Sequence, residues 1–277
     1  MTRNEAGNIA DCLLALSSFA EVFVVDSCST DSTAKLAVSL GASVVVFQWN
    51  GLYPKKKQWC LDNLRFSHDW VFYVDADERV TPALTAEIAA LISDGPRHAG
   101  YFIIGRMAFL GRRLRFGQVN NKLALFDRRH GSYRVCPDLD VTTMWEVEGH
   151  YQPEIFGTVG RLKAYLWHED AKPPFAWIER HNRYSDWEAA LRGDGRLRRL
   201  AMAESRWRRW LKILLNSLPA RPLLAFVHSY LWRLGFLDGA AGFHYAMARA
   251  FYYWQIDIKA KAIKLGRMTA SSEQLRG

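Results

Sequence analysis

Residues Trp70–Val80, WVFYVDADERV, constrain this chain more than any other stretch. Trp70–Val74 is a run of bulky β-formers, which predicts a strand buried on both faces. The run leads straight into Asp75-Ala76-Asp77-Glu78. Such a strand delivers carboxylates to the C-terminal edge of a sheet, where open α/β folds bind ligands. If the chain stays extended, Asp75 and Asp77 project the same way and can share one divalent ion, which favours hard oxygen ligands. A strand followed by an acidic turn gives the same letters, so the rest of the chain must decide.

Apolar residues make up 49% and charged residues 23% of the 277, which describes an ordinary folded protein of one large domain or a domain with an appendage. Cys12, Cys28, Cys60 and Cys136 lie far apart with no C-x-x-C pair. That spacing argues against a zinc site or a disulfide framework and fits a reducing cytosol. No signal peptide is recognisable at the start, and no run of 18 apolar residues occurs, so no spanning helix is expected. The net charge of +9 is uneven: residues 196–277 hold 15 Lys/Arg against 4 Asp/Glu, while the first 195 are close to balance. A basic segment of this kind attracts polyanions, either nucleic acid or anionic lipid.

Along the chain, Ile9, Cys12, Leu13 and Leu16 mark one face of a helix, with Asn4 a plausible N-cap. An α/β domain would carry a strand ahead of that helix, and none is visible. Glu21–Asp26 (EVFVVD) and Ser43–Phe47 (SVVVF) read as strands around the helix Thr33–Leu40, an alternation that points to a parallel sheet. Asp26 then ends its strand on the same edge as Asp75, or simply caps the turn Ser27–Thr33. Tyr53–Leu64 (YPKKKQWCLDNL) opens a helix with three lysines, which oppose its dipole unless an anion sits there. Lys55 and Lys56 fit a solvated charge run, and Lys57 is the choice to face a diphosphate.

Pro82–Ile92 reads as an amphipathic helix stopped by Gly95-Pro96, and Tyr101–Gly105 and Leu123–Phe126 as strands. The loop bearing Arg112, Arg113 and Arg115 fits an acceptor lid or a surface hairpin. Trp145–Pro153 (WEVEGHYQP) puts Glu146, Glu148 and His150 on one face if extended, the groups proton abstraction needs; a solvent-facing edge strand gives the same pattern. From Trp177 on, helical segments (His181–Leu191, Leu200–Leu218, Leu223–Leu234, Gly242–Leu265) are dense in Trp, Tyr and Arg. Trp207, Trp210, Leu211 and Leu214 recur on one face among Arg206, Arg208, Arg209 and Lys212. Aromatics flanked by cations on helices too polar to span fit an interfacial membrane helix, or an ordinary helical core.

Taken in order, Thr2–Glu5 (TRNE), Val24–Asp31 (VVDSCSTD), the lysine-led helix and Val74–Glu78 (VDADE) resemble the family 2 glycosyltransferases. His181–Ser185 (HNRYS) and Gly235–Phe243 (GFLDGAAGF) resemble, more narrowly, a bacterial branch that includes lipopolysaccharide-core β-1,4-glucosyltransferases. The resemblance implies a GT-A fold: a Rossmann-like, α/β nucleotide-sugar-binding domain with a mostly parallel sheet over residues 1–165, then a basic, aromatic-rich helical region over 166–277. It implies an inverting transfer from a nucleotide-sugar, most often a UDP-sugar, to a lipid-linked glycan, with Mg²⁺ or Mn²⁺ under the diphosphate. Carried over by position, Thr2, Asn4 and Glu5 line the nucleoside pocket and Asp26 reads the base. Lys57 faces the phosphates, Asp75 approaches the ribose and metal beside Ala76, and Asp77 is the principal metal ligand.

Three departures bear on this. The first strand is missing, Ser27 and Cys28 stand where relatives commonly show Asp and Gly, and His150-Tyr151 stands where relatives read H-E. The base is therefore chosen from the residues themselves: Glu148 first, for its face shared with His150, with Glu146 and Glu154 open. The resulting expectation is a cytosolic enzyme, peripheral on the inner face of the cell membrane and bound to its anionic surface, with no nucleic-acid partner and an undetermined oligomeric state. A sugar-nucleotide nucleotidyltransferase would show a Gly-rich phosphate loop, which is not seen. A non-catalytic polyanion binder, relying on the basic segment and its aromatics, has no use for the acidic edge. A catalytically dead homologue differs from an enzyme only in turnover.

Overall fold

The structure, a computed structural model, describes residues 1–141, 146–148, 152–193, 195–196 and 220–274, the last eight as backbone only. Leu200–Leu218, with Arg206, Trp207, Arg208, Arg209 and Trp210, falls outside the described residues, as does His150. The chain divides into two compact units. The first comprises Met1–Arg113, Val119–Val135 and the described part of Trp145–Lys172. The second comprises Leu114–Gln118 and the described parts of Cys136–Met144 and Pro173–Gly277.

In the first unit, α1 (Ile9–Ala15) buries Ile9 and Cys12, with buried Leu16 just beyond its end, on the face the spacing predicts. It starts later than expected: Asn8 is the residue at its cap, while Asn4 turns into a left-handed φ of 55°, which Asn tolerates. β1 (Phe23–Asp26), α2 (Thr33–Ser39) and β2 (Ser43–Val46) form the parallel unit read from the sequence, with Asp26 opposite Val46. Met1 and Thr2 lie alongside this pair. Thr2 bridges Asp26 in parallel, and the Met1 carbonyl accepts the Ala76 N–H at 3.1 Å. Two residues thus stand at the sheet position where a first strand was expected.

After α3 (Lys56–Asn63), β3 (Trp70–Phe72) enters a second sheet, and Tyr73 extends its pairing by donating to the Ala124 carbonyl at 2.9 Å. Alternation along this segment serves two cores. Val71 and Tyr73 pack with Val25, Phe47, Cys60 and Phe126, while Trp70, Phe72 and Val74 pack with Leu84, Ile88, Ile103 and Leu166. Both faces are covered, as the continuous apolar run predicts. Then follow β4 (Glu78–Val80), α4 (Pro82–Asp94), β5 (Gly100–Phe109), β6 (Arg112–Arg113), β7 (Asn120–Asp127), β8 (Gly131–Ser132), β9 (Glu154–Ile155) and β10 (Val159–His168). Thr81 caps α4 by accepting the Leu84 N–H, and Gly95 ends it at φ 86°.

The second sheet runs β3-β7-β5-β10-β4, with β6 paired to β5. It is mixed rather than mostly parallel: β10 lies parallel to β5, whereas β7 is antiparallel to both β3 and β5. The reason is local. The chain leaves β5 through a tight hairpin at Leu110-Gly111 and returns as β7 without a crossover helix, so it can only come back antiparallel. Arg112 and Arg113 form that hairpin's second arm, the surface-hairpin alternative for this arginine loop.

The second unit is helical: α5 (Pro174–Gly193), α6 (Arg221–Val227), a π-helical turn His228–Trp232, a 3₁₀ turn Gly235–Asp238 and the long α7 (Gly239–Gln274). α5 buries Trp187, Ala189 and Leu191, and α7 buries Tyr245, Ala246, Tyr252 and Ile256. Trp187 gives its indole N–H to the buried Asp138 carboxylate at 2.9 Å, and Tyr252 donates to Glu188 at 3.0 Å. Phe243, Met247, Phe251, Trp254, Ile258 and Leu265 recur every three, four or seven positions along α7, and all are exposed. They form one apolar stripe turned to solvent.

Candidate active site

The site grows from Thr2. Its N–H donates to the Val25 carbonyl at 3.0 Å, and its own carbonyl accepts from the Ser27 N–H at 3.0 Å and the Lys56 ammonium at 3.3 Å. One short segment therefore joins the end of β1 to the start of α3, and through Met1 to the turn after β3. Thr2 and Ser27 are both 3% exposed, and neither buried hydroxyl has a protein partner among the described residues. Asp26, also buried, accepts from the N–H and hydroxyl of Ser29, the turn-capping geometry foreseen as its bland alternative. Asn4 does not cap α1. Its side-chain oxygen takes the Thr30 N–H at 2.8 Å, and its own N–H goes to the Ser29 hydroxyl, which ties the TRNE stretch to the loop after β1. Glu5 accepts from Asn8 and pairs with Lys172, and burial pushes its carboxyl above the usual range.

The lysines at α3 are not the solvated run expected for two of them. Lys55 is 0% and Lys56 2% exposed. Besides Thr2, the Lys56 ammonium lies 3.5 Å from Glu146, whose carboxylate also meets Arg3 at 3.3 Å. Burial lowers the pKa of both Lys56 and Lys57, while nearby carboxylates work against it: Glu146 chiefly for Lys56, Asp75 chiefly for Lys57. Lys57 therefore sits in electrostatic reach of the acidic turn, with its ammonium 5.8 Å from the Tyr133 ring centre.

Glu148 has a role that its strand-like letters did not suggest. The chain is bent at Glu146-Val147 rather than extended, and the buried Glu148 carboxylate accepts the Lys57 and Gln58 N–H groups, each at 2.9 Å. It caps the first turn of α3, where an anion also suits the helix dipole and the lysines around it. That corrects the picture of Glu148 presenting a carboxylate on a strand face: both of its oxygens are held by backbone donors. Glu154 is exposed and pairs with Arg134.

The acidic turn also differs from an extended strand. The Glu78 N–H donates to the Asp75 carbonyl at 2.9 Å, closing a turn, so Asp75 and Asp77 are not aligned as strand neighbours. Asp77 lies 3.3 Å from His168 Nε2 at the end of β10. Asp75 pairs with Lys122 of β7 at 2.8 Å, and Lys122 also reaches Glu78 at 2.7 Å. Burial pushes Asp75 up, but Lys122, Lys57 and the Met1 ammonium outweigh it and hold the carboxyl well below the usual range. Burial raises Glu78 in spite of Lys122. Lys122 itself stays a fixed cation, because the two carboxylates overcome its desolvation.

Neither Lys122 nor His168 was visible as a site residue. A lone Lys inside the run NNKLALFD was the only signal, and it gains meaning only once the strand pairing is known. Among the described residues, no three His, Cys, Asp or Glu groups converge as a ready cation cage. The donor chemistry of the turn nonetheless fits Mg²⁺ or Mn²⁺. Such ions take one or two carboxylates and complete their shell with water and substrate phosphates.

The family model described as glycosyl transferase family 2 matches residues 1–140. An uncharacterized glycosyltransferase of Rickettsia typhi is 26% identical over 197 residues, 68% of this chain and 65% of that protein. One from Rickettsia bellii is 40% identical over 89 residues, 32% of this chain and 29% of that protein. The lipopolysaccharide core biosynthesis glycosyltransferase LpsC of Rhizobium meliloti is 32% identical over 113 residues, 39% of this chain and 41% of its own length. The chain thus spans less than two thirds of each of these relatives. The matched segment holds TRNE, the loop after β1, α3 and the acidic turn, and this chain, with its GT-A fold, belongs to glycosyl transferase family 2.

Proposed function

We propose that this chain is an inverting, metal-dependent glycosyltransferase that moves a sugar from a nucleotide-sugar, a UDP-sugar by resemblance, to a lipid-linked cell-envelope glycan. One observation carries the reading. The backbone of Met1-Thr2 bonds to the end of β1, the start of α3 and the turn after β3 at once, so the four stretches of the family resemblance meet at one edge.

In this reading Thr2, Asn4, Glu5 and Asp26 bound the nucleoside. Asp75 and Ala76 border the ribose, and Asp77 is the principal ligand of Mg²⁺ or Mn²⁺. When bound, that cation supplies charge neutralisation at the leaving diphosphate. Lys57 supplies a second positive charge there, and being partly desolvated it acts more strongly than it would in water. An inverting displacement also needs one base, on the sugar face opposite the diphosphate. We place it on Glu146, whose partly exposed carboxylate is held by side chains rather than by backbone amides. Glu148 positions α3 beneath Lys57, and Glu154 and His150 are the remaining alternatives.

The domain reading assigns donor binding to residues 1–165, and acceptor and membrane contact to 166–277. Among the described residues no helix is long and apolar enough to cross a membrane. The basic excess and the exposed α7 stripe support a peripheral seat on the anionic inner face, and the printed name of the Rhizobium relative suggests the acceptor class.

The test is UDP release from UDP-sugars with Mn²⁺, lost in Asp77→Ala. No turnover with any nucleotide-sugar, together with no Mn²⁺-dependent UDP binding, would defeat the proposal.

A further inference from the structure

Continuing the register of β3 against β7 past Phe72↔Leu125 and the Tyr73–Ala124 hydrogen bond brings Lys122 opposite Asp75. The two side chains meet there as a cross-strand ion pair of 2.8 Å. Lys122 bonds Glu78 Oε2 at 2.7 Å, and that same oxygen accepts the Asp75 N–H at 2.8 Å. The result is a closed ring: Asp75 carboxylate, Lys122 ammonium, Glu78 carboxylate, Asp75 backbone.

Resting on the donor-site reading above, we propose that Lys122 is a positioning residue that fixes the orientation of the Asp75 carboxylate toward the donor. An ordinary buried lysine would only balance Glu78. Here the ring is closed on every side but one: the side chains of Lys122 and Glu78 are 11% and 4% exposed, and that of Asp75 is 39% exposed. Asp75 is the member that meets solvent, and both its backbone and one carboxylate oxygen are held from behind. A carboxylate restrained at two points gives up little rotamer freedom when a ligand arrives, and that is the advantage of a preorganised contact. Lys122 also keeps two neighbouring carboxylates compatible, which they would not be if both were ionised and unpaired.

Removing the ammonium alone would leave Glu78 buried and unpaired and could unfold the chain. The test therefore uses Lys122→Met combined with Glu78→Gln, which removes one charge of each sign, and Lys122→Arg alone. Thermal unfolding, calorimetric titration with UDP and Mn²⁺, and KM and kcat for UDP-sugar hydrolysis are measured on each. The double variant should unfold within a few degrees of the wild type, bind UDP about tenfold more weakly, and raise KM more than it lowers kcat. Lys122→Arg, which keeps the charge but shifts the geometry, should unfold like the wild type and bind UDP with intermediate affinity. A folded double variant whose UDP affinity stays within about twofold of wild type overturns the inference. If that variant does not fold, Lys122→Arg decides, and wild-type affinity and KM in it overturn the inference. A wild-type protein that binds no UDP with Mn²⁺ removes the donor reading itself, and this inference with it. That outcome is distinct from a wild type that binds UDP no better than the variants do.

Discussion

The Lys56 ammonium lies 3.3 Å from the Thr2 carbonyl oxygen, and this buried contact fastens the start of α3 to the edge of the first unit. Its neighbour Lys57 places its ammonium 5.8 Å from the Tyr133 ring centre instead. Adjacent lysines should therefore separate cleanly on mutation. Lys56→Ala is expected to lower stability by about 1–3 kcal/mol through loss of a buried charged donor. Lys57→Ala should leave the urea midpoint nearly unchanged and weaken UDP binding. Equal destabilisation by both would show that Lys57 is a structural residue too.

Glu148 and Glu146 should separate as well. Glu148→Ala strips two backbone N–H groups of α3 of their acceptor, so it should cost about 1–3 kcal/mol in chemical denaturation. Glu146→Gln keeps the shape and most of the contacts. It should fold normally and lower kcat by about 10²-fold or more, the scale of a lost general base. Full turnover in Glu146→Gln would return the base to Glu154 or His150.

Asp77→Ala removes the proposed principal metal ligand together with its contact to His168. Turnover should fall on the order of 10²-fold or more, and Mn²⁺ should no longer tighten UDP binding. Retained Mn²⁺ dependence would move the cation elsewhere.

The four thiols offer a check on burial. Cys28 is exposed, while Cys12, Cys60 and Cys136 are buried. Burial pushes the Cys12 thiol up to about 11 and that of Cys60 to about 12, so neither is a thiolate at neutral pH. Brief alkylation of the native protein at pH 8 should label Cys28 alone, as read by peptide mass. Equal labelling of Cys60 would mean that α3 is not packed as described.

The stripe on α7 bears on the membrane reading. Phe251→Glu with Trp254→Glu should leave the unfolding temperature within a few degrees, because both side chains are exposed, and should reduce sedimentation with anionic liposomes. Unchanged sedimentation would remove α7 from membrane contact.

Local patterns carried much of the fold. The Trp70–Val74 run announced a strand with two buried faces, Pro82 and Gly95-Pro96 bounded α4, and EVFVVD-helix-SVVVF announced a parallel pair, because each signal lies within a few residues of its effect. What stayed hidden depends on partners distant in sequence. Lys122 acquires its role from Asp75, 47 positions away, and Glu148 from amides 90 and 91 positions away. Lys55 and Lys56 read as solvated because charge counts say nothing of what covers a helix start. Asp75 and Asp77 read as strand neighbours because alternation assumes an extended chain, and the bond from the Glu78 N–H to the Asp75 carbonyl turns the chain at Ala76-Asp77.

Cys28 stands at a φ of 53°, a left-handed backbone where a side chain costs roughly 1–2 kcal/mol and glycine costs little. The loop after β1 is thus a place where the chain tolerates conformational strain for the sake of its shape. Cys28→Gly would relax it without moving Asp26 or Ser29, leaving a sturdier protein with one reactive sulfur fewer, a convenient background for later chemical labelling elsewhere in the molecule.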